Sequence, residues 1–249
     1  MSKIFSAMGR IEDLLIPVDL GDQDDAENPF ALPNVSEEWV SSVEGEKDLW
    51  RDRVLYPAMR TWISEFSVKE PIIVDVGAGQ GRSSTEIDGY GAYIGVEPSS
   101  FLVERAIELY AASRRYFVRG SAYRLPLVDG AADGVIAVNV LFHLARLEDA
   151  VKEIARVLKP GGKFFINTAD NDALEIWKSL YTNLQIDEAK MQGAIRTPVR
   201  GLSLNTFYFQ PNQYVIDLLD RHGLRVRRIA KSCEKDGHTL FITLEGEKT

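Results

Sequence analysis

Apolar runs and stretches with helical spacing alternate along the chain, and this alternation predicts the order of strands and helices. Apolar residues recur every three or four positions over 101–112 and 147–158, which predicts amphipathic helices there. Alternating strands and helices are typical of a parallel sheet covered by helices on both faces. The apolar runs that predict buried strands are 72–76, 92–96, 115–119, 135–141 and 163–167.

The two ends of the chain follow other patterns. The first 66 residues predict a helical appendage, with an amphipathic helix over 4–16 and a second helical stretch over 48–66 that restarts at Pro57. The first helix either packs on its own domain or serves as a lid or dimer contact. Residues 67–249 predict the main domain. Its last part predicts a helix over 171–184, an extended aromatic segment to 210, a helix over 213–222 and a hairpin of 224–230 with 239–244.

A glycine-rich turn directly follows the first predicted strand. Residues 71–82 read P-I-I-V-D-V-G-A-G-Q-G-R. Glycine allows positive φ and brings backbone N–H groups close to a ligand. A strand, a glycine turn and a helix start together form the ligand-binding loop of open α/β sheets. Arg82 stands where the dinucleotide fingerprint needs its third glycine, which disfavours a nicotinamide dehydrogenase.

An acidic residue ends the second predicted strand, about 20 residues past the glycine turn. This residue is Glu97, within A-Y-I-G-V-E. A carboxylate in this place accepts hydrogen bonds from the two hydroxyls of a ribose. The sequence therefore predicts a nucleoside-containing ligand with a free 2′-hydroxyl.

With these residues the chain resembles the class I S-adenosylmethionine-dependent methyltransferases, most closely the small-molecule branch with the ubiquinone and menaquinone biosynthesis enzymes. The resemblance covers residues 72–165 and implies a Rossmann-like, seven-stranded, mostly parallel sheet with an antiparallel C-terminal strand and helices on both faces. Its four blocks, in order, are V-D-V-G-A-G-Q-G-R, G-V-E-P-S, G-S-A-Y-R-L-P-L with A-A-D-G-V-I-A-V-N-V-L-F-H-L, and E-I-A-R-V-L-K-P-G-G-K-F-F-I.

The resemblance also implies the cofactor, S-adenosylmethionine, and its product, S-adenosylhomocysteine. Many relatives carry Asp where this chain has Ser121, and that Asp accepts a hydrogen bond from the adenine amino group. Serine can also accept this bond, but its side chain is shorter and neutral. Asn139 is either a contact near the sulfonium or a strand-end turn residue. The cofactor-binding residues that the resemblance implies are Asp75, Gly77, Ala78, Gly79, Arg82, Glu97, Pro98, Ser121, Ala122 and Asn139.

The methyl acceptor has weaker candidates. His143, just past the fourth strand, is either a general base or substrate contact, or a histidine packed at a helix start. Arg53, Tyr56 and Phe207 are candidate substrate contacts. They belong to two segments outside the four blocks, 36–66 and 171–210, which we expect to meet over the cleft as a lid.

Charge and composition indicate which classes of partner the sequence disfavours. The formal net charge of −8 and the pI near 5.1 disfavour a nucleic-acid substrate. One cysteine, Cys233, and three distant histidines predict neither an internal disulfide nor a metal site. The sequence shows neither a signal peptide nor an apolar run of the ~20 residues that a membrane span needs. We expect a cytoplasmic monomer or homodimer that acts on a small molecule.

Three functions follow in order of preference. The first is methyl transfer to an O, N or C atom of a small molecule by in-line displacement without metal. The second is methyl transfer to a protein or peptide, which would need an open groove. The third is a non-catalytic protein that binds S-adenosylmethionine, because the glycines and Glu97 serve binding alone.

Overall fold

The computed structural model describes residues 11–18, 20, 36–37, 40, 50–180, 184–187, 192–196, 204–235 and 238–249. Ten strands lie in these ranges, and they form a seven-stranded and a three-stranded sheet. The strands are β1 Ile72–Val76, β2 Ala92–Glu97, β3 Arg115–Arg119, β4 Ala132–Val138, β5 Leu158–Ala169, β6 Leu184–Asp187, β7 Gln192–Arg196, β8 Leu204–Tyr208, β9 Leu224–Lys235 and β10 His238–Lys248.

Helices connect the strands of the large sheet. The α-helices of the described ranges are α1 Tyr56–Ser64, α2 Ser83–Glu86, α3 Ser100–Tyr110, α4 Leu147–Val157, α5 Leu174–Leu180 and α6 Asn212–Arg221. A π-helical turn, Arg51–Leu55, leads directly into α1. Short 3-10 turns lie at Ile11–Leu14, Leu141–His143 and Asn171–Ala173.

The large sheet has the order β3-β2-β1-β4-β5-β10-β9. Strands β1 to β5 pair in parallel, and β10 runs antiparallel between β5 and β9. The predicted mostly parallel sheet with an antiparallel C-terminal strand is confirmed. Because β1 to β5 are parallel, their carboxyl ends meet at one edge, where ligands of open α/β sheets bind.

The central strands β1, β2 and β4 are buried on both faces because helices cover each side. On one face, Val74 and Val135 pack in a cluster with buried residues of α4 and α6, such as Ile154 and Leu218. On the other face, Ile73 joins a cluster built on the aromatic and aliphatic residues of α1. Strands that lack a polar face read as continuous apolar runs, which is why the sequence located them.

Several predicted boundaries were wrong. Strand β4 ends at Val138, because Asn139 turns the chain with φ of 57°. Strand β5 begins at Leu158, so the predicted helix stop K-P-G-G lies inside a strand. The pairing of β5 with β4 changes register here, between Ala132 and Gly134 of β4. A 2.7 Å ion pair from Lys159 to Asp133 holds this segment against β4.

The segment after residue 170 also differs from the prediction. Leu184 begins β6 rather than continuing a helix, and β6, β7 and β8 form an antiparallel sheet. Pairing with neighbouring strands, which a single stretch of sequence does not show, makes this segment a sheet.

The structure describes the N-terminal helical stretches in part. Residues 1–10 and 41–49 lie outside the described residues, and with them the greater part of the predicted helix over 4–16. The remainder of that stretch is the 3-10 turn Ile11–Leu14, and Leu15 forms a bridge to Leu127 of the main domain. The described part of the first stretch therefore packs on its own domain. In the second stretch, Pro57 lies in the first turn of α1, where the sequence predicts a restart.

Candidate active site

The glycine loop lies at the carboxyl edge between β1 and α2. The N–H groups of Gly77 and Ala78 both donate to the carbonyl of Val96, at 2.8 and 3.1 Å, so the loop is fixed to the end of β2. Gly77 has φ of 71°, and a β-carbon there would overlap the side chain of Val140. Both features require glycine at this position.

Glu97 connects this loop to the next helix. Its Oε2 accepts a 3.0 Å hydrogen bond from the Gly79 N–H, and its Oε1 accepts one of 3.1 Å from the Ser99 N–H. The residue is only 6% exposed. One carboxylate therefore fixes both the glycine loop and the start of α3.

Asp75 lies beneath the loop, in β1. Its side chain accepts a short hydrogen bond from the Tyr93 hydroxyl on the neighbouring strand β2. Burial raises the pKa of Asp75 to about 7, although hydrogen bonds from Tyr93 and Ser83 lower it in part. Burial likewise raises the pKa of Glu97 to about 7, against the two backbone hydrogen bonds.

These raised pKa values predict a pH-dependent stability. A carboxyl with a higher pKa in the folded state binds protons more tightly when folded, so its contribution falls as pH rises from about 4 to about 7 and is constant above. Asp75→Asn removes one such group and keeps its shape. We expect the free energy of unfolding to fall less between about pH 5 and about pH 8 in this variant than in the wild type. Urea unfolding at both pH values measures it, and equal pH dependence would contradict the assignment.

Asn139 lies at the carboxyl end of β4. Its N–H donates to the Asn167 carbonyl at 2.8 Å, and its φ of 57° is uncommon outside glycine. Its Oδ1 is buried and accepts no hydrogen bond from the described part of the chain. A buried acceptor without a donor costs free energy, so the strained turn is compatible with a ligand that donates to it.

The turn after β3 lies next to Glu97. The Gly120 N–H donates to the Glu97 carbonyl at 3.1 Å, which brings Ser121 and Ala122, both buried, to the same edge. Ser121 Oγ accepts a 3.1 Å hydrogen bond from the Tyr123 N–H. The carbonyl of Pro98 accepts one of 3.0 Å from Arg119.

Aromatic side chains border this edge beyond β4. The rings of Phe142 and Phe207 stack at 5.4 Å, and the His143 ring lies 4.3 and 5.2 Å from their centroids. His143 thus lies on the 3-10 turn after β4 and packs against β8 of the small sheet. Packing and a role toward a substrate are both compatible with this position.

Residues 74–166 match the family described as methyltransferase domain. This part of the chain is therefore similar to a methyltransferase domain. The cofactor of this type of domain is S-adenosylmethionine. The matched range runs from β1 into β5 and includes the glycine loop, Glu97 and Asn139, so the geometry and the match concern the same edge of the sheet.

Curated relatives match this chain over about half of its length or less. An uncharacterised methyltransferase of Schizosaccharomyces pombe is 33% identical over 143 residues, which are 53% of this chain and 50% of that protein. A sterol 24-C-methyltransferase of Gibberella zeae is 35% identical over 116 residues, 41% of this chain and 30% of that protein. The chain thus spans half or less of the length of these curated relatives.

A solved S-adenosylmethionine-dependent methyltransferase of Mesorhizobium loti has the same fold. It superposes with a TM-score of 0.59 at 17% identity, over 77% of this chain and 96% of that one. At this identity the likeness shows the fold alone. The shared fold agrees with the Rossmann-like strand order of the large sheet.

The structure brings most of the predicted cofactor residues together around the methyltransferase domain's glycine loop. The two predicted contacts from the N-terminal segment separate: Tyr56 is buried, whereas Arg53 is exposed to solvent. One polar residue near the loop was missed. Tyr93 is a tyrosine inside an apolar strand, a position unusual for this residue type, and that is the signal that could have revealed it.

The described residues were also compared with the requirements of a metal site and of a membrane-spanning helix. They contain no group of three or more His, Cys, Asp or Glu side chains that could hold a metal ion. Nor does any helix among them combine the length and the apolar character that crossing a bilayer requires.

Proposed function

We propose that the protein transfers a methyl group from S-adenosylmethionine to an O, N or C atom of a small molecule. The observation that carries the proposal is the Glu97 carboxylate. It is bound to the Gly79 N–H at the carboxyl edge of β1 and β2, within a methyltransferase domain. A small cationic cofactor also suits the acidic chain, whose formal net charge is −8.

The residues at this edge fit the cofactor. Asn139 Oδ1 is a buried acceptor without a donor in the described chain, and the cofactor's amino group is a donor. In this proposal Glu97 accepts hydrogen bonds from the ribose, and the backbone of Gly77 and Gly79 lies under the methionine part. The remaining proposed contacts, carried by the same edge, are Asp75, Ala78, Arg82, Pro98, Ser121 and Ala122.

When bound, S-adenosylmethionine supplies a methyl group on a positively charged sulfur. The protein's part is to align an acceptor atom with that methyl group, since positioning alone removes much of the barrier to such a reaction. His143 would orient the acceptor or take its proton. Its ring contacts those of Phe142 and Phe207 at 4.3 and 5.2 Å.

A direct test uses binding first and transfer second. We expect S-adenosylhomocysteine to bind in calorimetric titration and NAD not to bind. Labelled S-adenosylmethionine and a metabolite library should then give label transfer to a small molecule. Tight NAD binding without a response to S-adenosylhomocysteine would refute the cofactor. Binding without transfer to any metabolite, but with transfer to proteins of a lysate, would favour a protein-directed enzyme.

We further propose that 36–66 and 171–210 form a lid over the acceptor site. In this proposal residues 1–66 are an appendage to the domain of residues 67–249. Three aromatic contacts support it. Trp50 stacks on Phe241 at 5.1 Å, Trp177 packs edge-on against the same ring at 5.6 Å, and Phe207 reaches the turn after β4. Phe241 pairs with Ala169, at the carboxyl end of β5.

The second segment also has a defined base. Asn212 Nδ2 donates to Asp170 Oδ1 at 2.6 Å, and the Asn171 N–H donates to Asn212 Oδ1 at 3.1 Å. Lys231 forms a 2.9 Å ion pair with the other oxygen of Asp170. These bonds join the two ends of the segment.

Closing a lid excludes water, so the lid segments should exchange amide hydrogens more slowly when ligand is bound. We expect protection in 50–66, 171–180 and 204–208 on adding S-adenosylhomocysteine together with an acceptor found in the screen. Strand β9, at the far edge of the large sheet, serves as an internal reference that should not change. Protection confined to the glycine loop would contradict the lid and favour an open groove.

A further inference from the structure

The sheet face that α1 covers carries polar groups among aromatic side chains, where β5 lies next to β10. Asn167 of β5 pairs with Thr243 of β10, and two residues further along β5 Ala169 pairs with Phe241. Residues two apart in a strand share one face of the sheet, and so do residues directly opposite each other. Asn167 and Phe241 therefore lie on the same face, at the carboxyl end of β5.

The side-chain amide of Asn167 has one end with partners and one end without. Its Nδ2 donates to Thr243 Oγ1 at 3.1 Å and to the Ile242 carbonyl at 3.3 Å. A carbonyl accepts and never donates, so the amide cannot be turned round without losing the bond to Ile242. Asn167 Oδ1 therefore points away from these partners. It is buried, in a residue that is 0% exposed, and accepts no hydrogen bond in the described chain.

Trp50 supplies a complementary group close to Asn167. Its ring stacks on that of Phe241 at 5.1 Å. Phe241 is the diagonal neighbour of Asn167 in the pairing of β5 with β10, and such neighbours lie about 7–8 Å apart, within reach of aromatic side chains. Trp50 Nε1 is buried and donates to no acceptor in the described chain. An unpaired donor and an unpaired acceptor thus lie near each other without bonding to each other.

These two groups indicate the chemistry of a molecule between them. Buried polar groups nearly always have a partner, and the N–H of a buried tryptophan usually finds one. Trp50 Nε1 can only donate, and the fixed Oδ1 of Asn167 can only accept. A hydroxyl both donates and accepts, so a single hydroxyl satisfies both groups.

The surroundings favour a flat and uncharged molecule. The buried cluster that contains Trp50 and Phe241 consists of aromatic and aliphatic side chains, with Trp177 and Phe207 among them. The carboxylate that follows β5, Asp170, already pairs with Lys231 at 2.9 Å and so gives a cationic ligand no free counter-ion. Burying an unpaired charge costs far more than burying a hydroxyl that is hydrogen-bonded.

We propose that Asn167 and Trp50 recognise a neutral hydroxyl group on a flat, apolar methyl acceptor. Asn167 Oδ1 accepts a hydrogen bond from the hydroxyl, Trp50 Nε1 donates one to its oxygen, and the aromatic side chains contact the ring. This assignment rests on the proposed function, because it names the chemical class of the acceptor. It makes Asn167 and Trp50 residues that determine specificity for the acceptor.

The test uses three probes that differ in one group. p-Cresol carries a hydroxyl, toluene lacks it, and p-toluate carries a carboxylate in its place. Each probe is titrated, with ligand-observed NMR, into protein saturated with S-adenosylhomocysteine. The variants are Asn167→Leu, which removes the acceptor, and Trp50→Phe, which removes the donor and keeps an aromatic ring on Phe241.

Trp62→Phe is the matched control. Trp62 Nε1 is also buried without a partner in the described chain, so the chemical change is the same. The Trp62 ring packs instead against Phe66 and against Phe165, which precedes Asn167 by two residues in β5. A general effect of removing a buried indole would therefore show in both tryptophan variants, whereas loss of a bond to the hydroxyl shows in Trp50→Phe alone.

We expect the wild type to bind p-cresol at least about tenfold more tightly than toluene or p-toluate, because a site built for a hydroxyl rejects analogues that lack it. Trp50→Phe and Asn167→Leu should each reduce this preference to about threefold or less and leave the affinity for S-adenosylhomocysteine within about twofold. Trp50→Phe should also keep or raise the melting temperature, since it removes an unpartnered donor. It therefore remains informative if Asn167→Leu, which also loses the bonds to Thr243 and Ile242, fails to fold.

Three outcomes would overturn the hydroxyl site. Equal binding of p-cresol and toluene to the wild type would mean that the two groups hold an internal water at most. Tighter binding of p-toluate than of p-cresol would show a site for an anion. An equal loss in Trp50→Phe and Trp62→Phe would show an effect of core packing. If the wild type does not bind S-adenosylhomocysteine, the proposed function fails, and the same titrations into the unliganded protein decide the hydroxyl site by themselves.

Discussion

Glu97→Gln is expected to lower the affinity for S-adenosylhomocysteine by about 10- to 100-fold, because hydrogen bonds to a charged group contribute about 1.5–3 kcal/mol. Glutamine has one carbonyl oxygen, whereas Glu97 uses one oxygen for the Gly79 N–H and the other for the Ser99 N–H. The amide NH₂ would therefore face a backbone donor, and the ribose would lose an acceptor. Calorimetric titration measures the change directly.

Glu245→Gln is the matched control. Glu245 is also a buried glutamate with a raised pKa, but it lies on β10 and pairs with Arg228 at 2.8 Å. Its replacement should reduce stability and leave ligand affinity within about twofold. Equal affinity in Glu97→Gln and wild type, together with a lower melting temperature, would show that Glu97 is structural only.

We expect Gly77→Ala to abolish measurable binding of S-adenosylhomocysteine and to destabilise the fold more than a glycine replacement that adds only backbone strain. A left-handed conformation costs a residue with a β-carbon roughly 1–2 kcal/mol. The β-carbon would in addition overlap Val140 Cγ2 and lie 3.1 Å from Val140 Cγ1. Relieving the backbone strain and the overlap with Val140 would displace the Gly77 and Ala78 N–H groups from the Val96 carbonyl. The loop under the proposed cofactor site would move with them.

Two variants separate the contributions. Gly89→Ala also has positive φ, of 84°, but its β-carbon would meet nothing within 4 Å among the described residues, so it should show the conformational cost alone. Gly77→Ala combined with Val140→Ala removes the overlap and should recover only the steric part. Chemical unfolding and titration give both quantities. Equal destabilisation by Gly77→Ala and Gly89→Ala would contradict the steric contribution.

Several groups at this edge reduce stability rather than add to it. Asp75 and Glu97 are buried carboxyls with raised pKa values, and Asn139 has positive φ. Arg82 Nη1 is buried and lacks a hydrogen-bond partner within the described ranges. Unfavourable groups of this kind persist where a function requires them. Their concentration at the carboxyl ends of β1, β2 and β4 agrees with a binding site there.

The sequence by itself determined the large sheet in outline and the glycine turn at its edge. Continuous apolar runs located β1 and β2 because strands buried on both faces carry no polar alternation. The glycine turn and Glu97 were predicted because their chemistry is local: a backbone that needs glycine, and a carboxylate a short distance along the chain.

Only the tertiary structure decided the rest. The sheet β6-β7-β8 depends on pairing between strands, and the left-handed turn at Asn139 depends on its bond to Asn167 across the sheet. The contact of α1 with α2 joins two separate stretches of the chain through the hydrogen bonds of Arg60 to Glu86. Spacing along the chain encodes contacts within one element, whereas contacts between elements follow from packing, which is why the strands and the glycine turn were predictable and the small sheet was not.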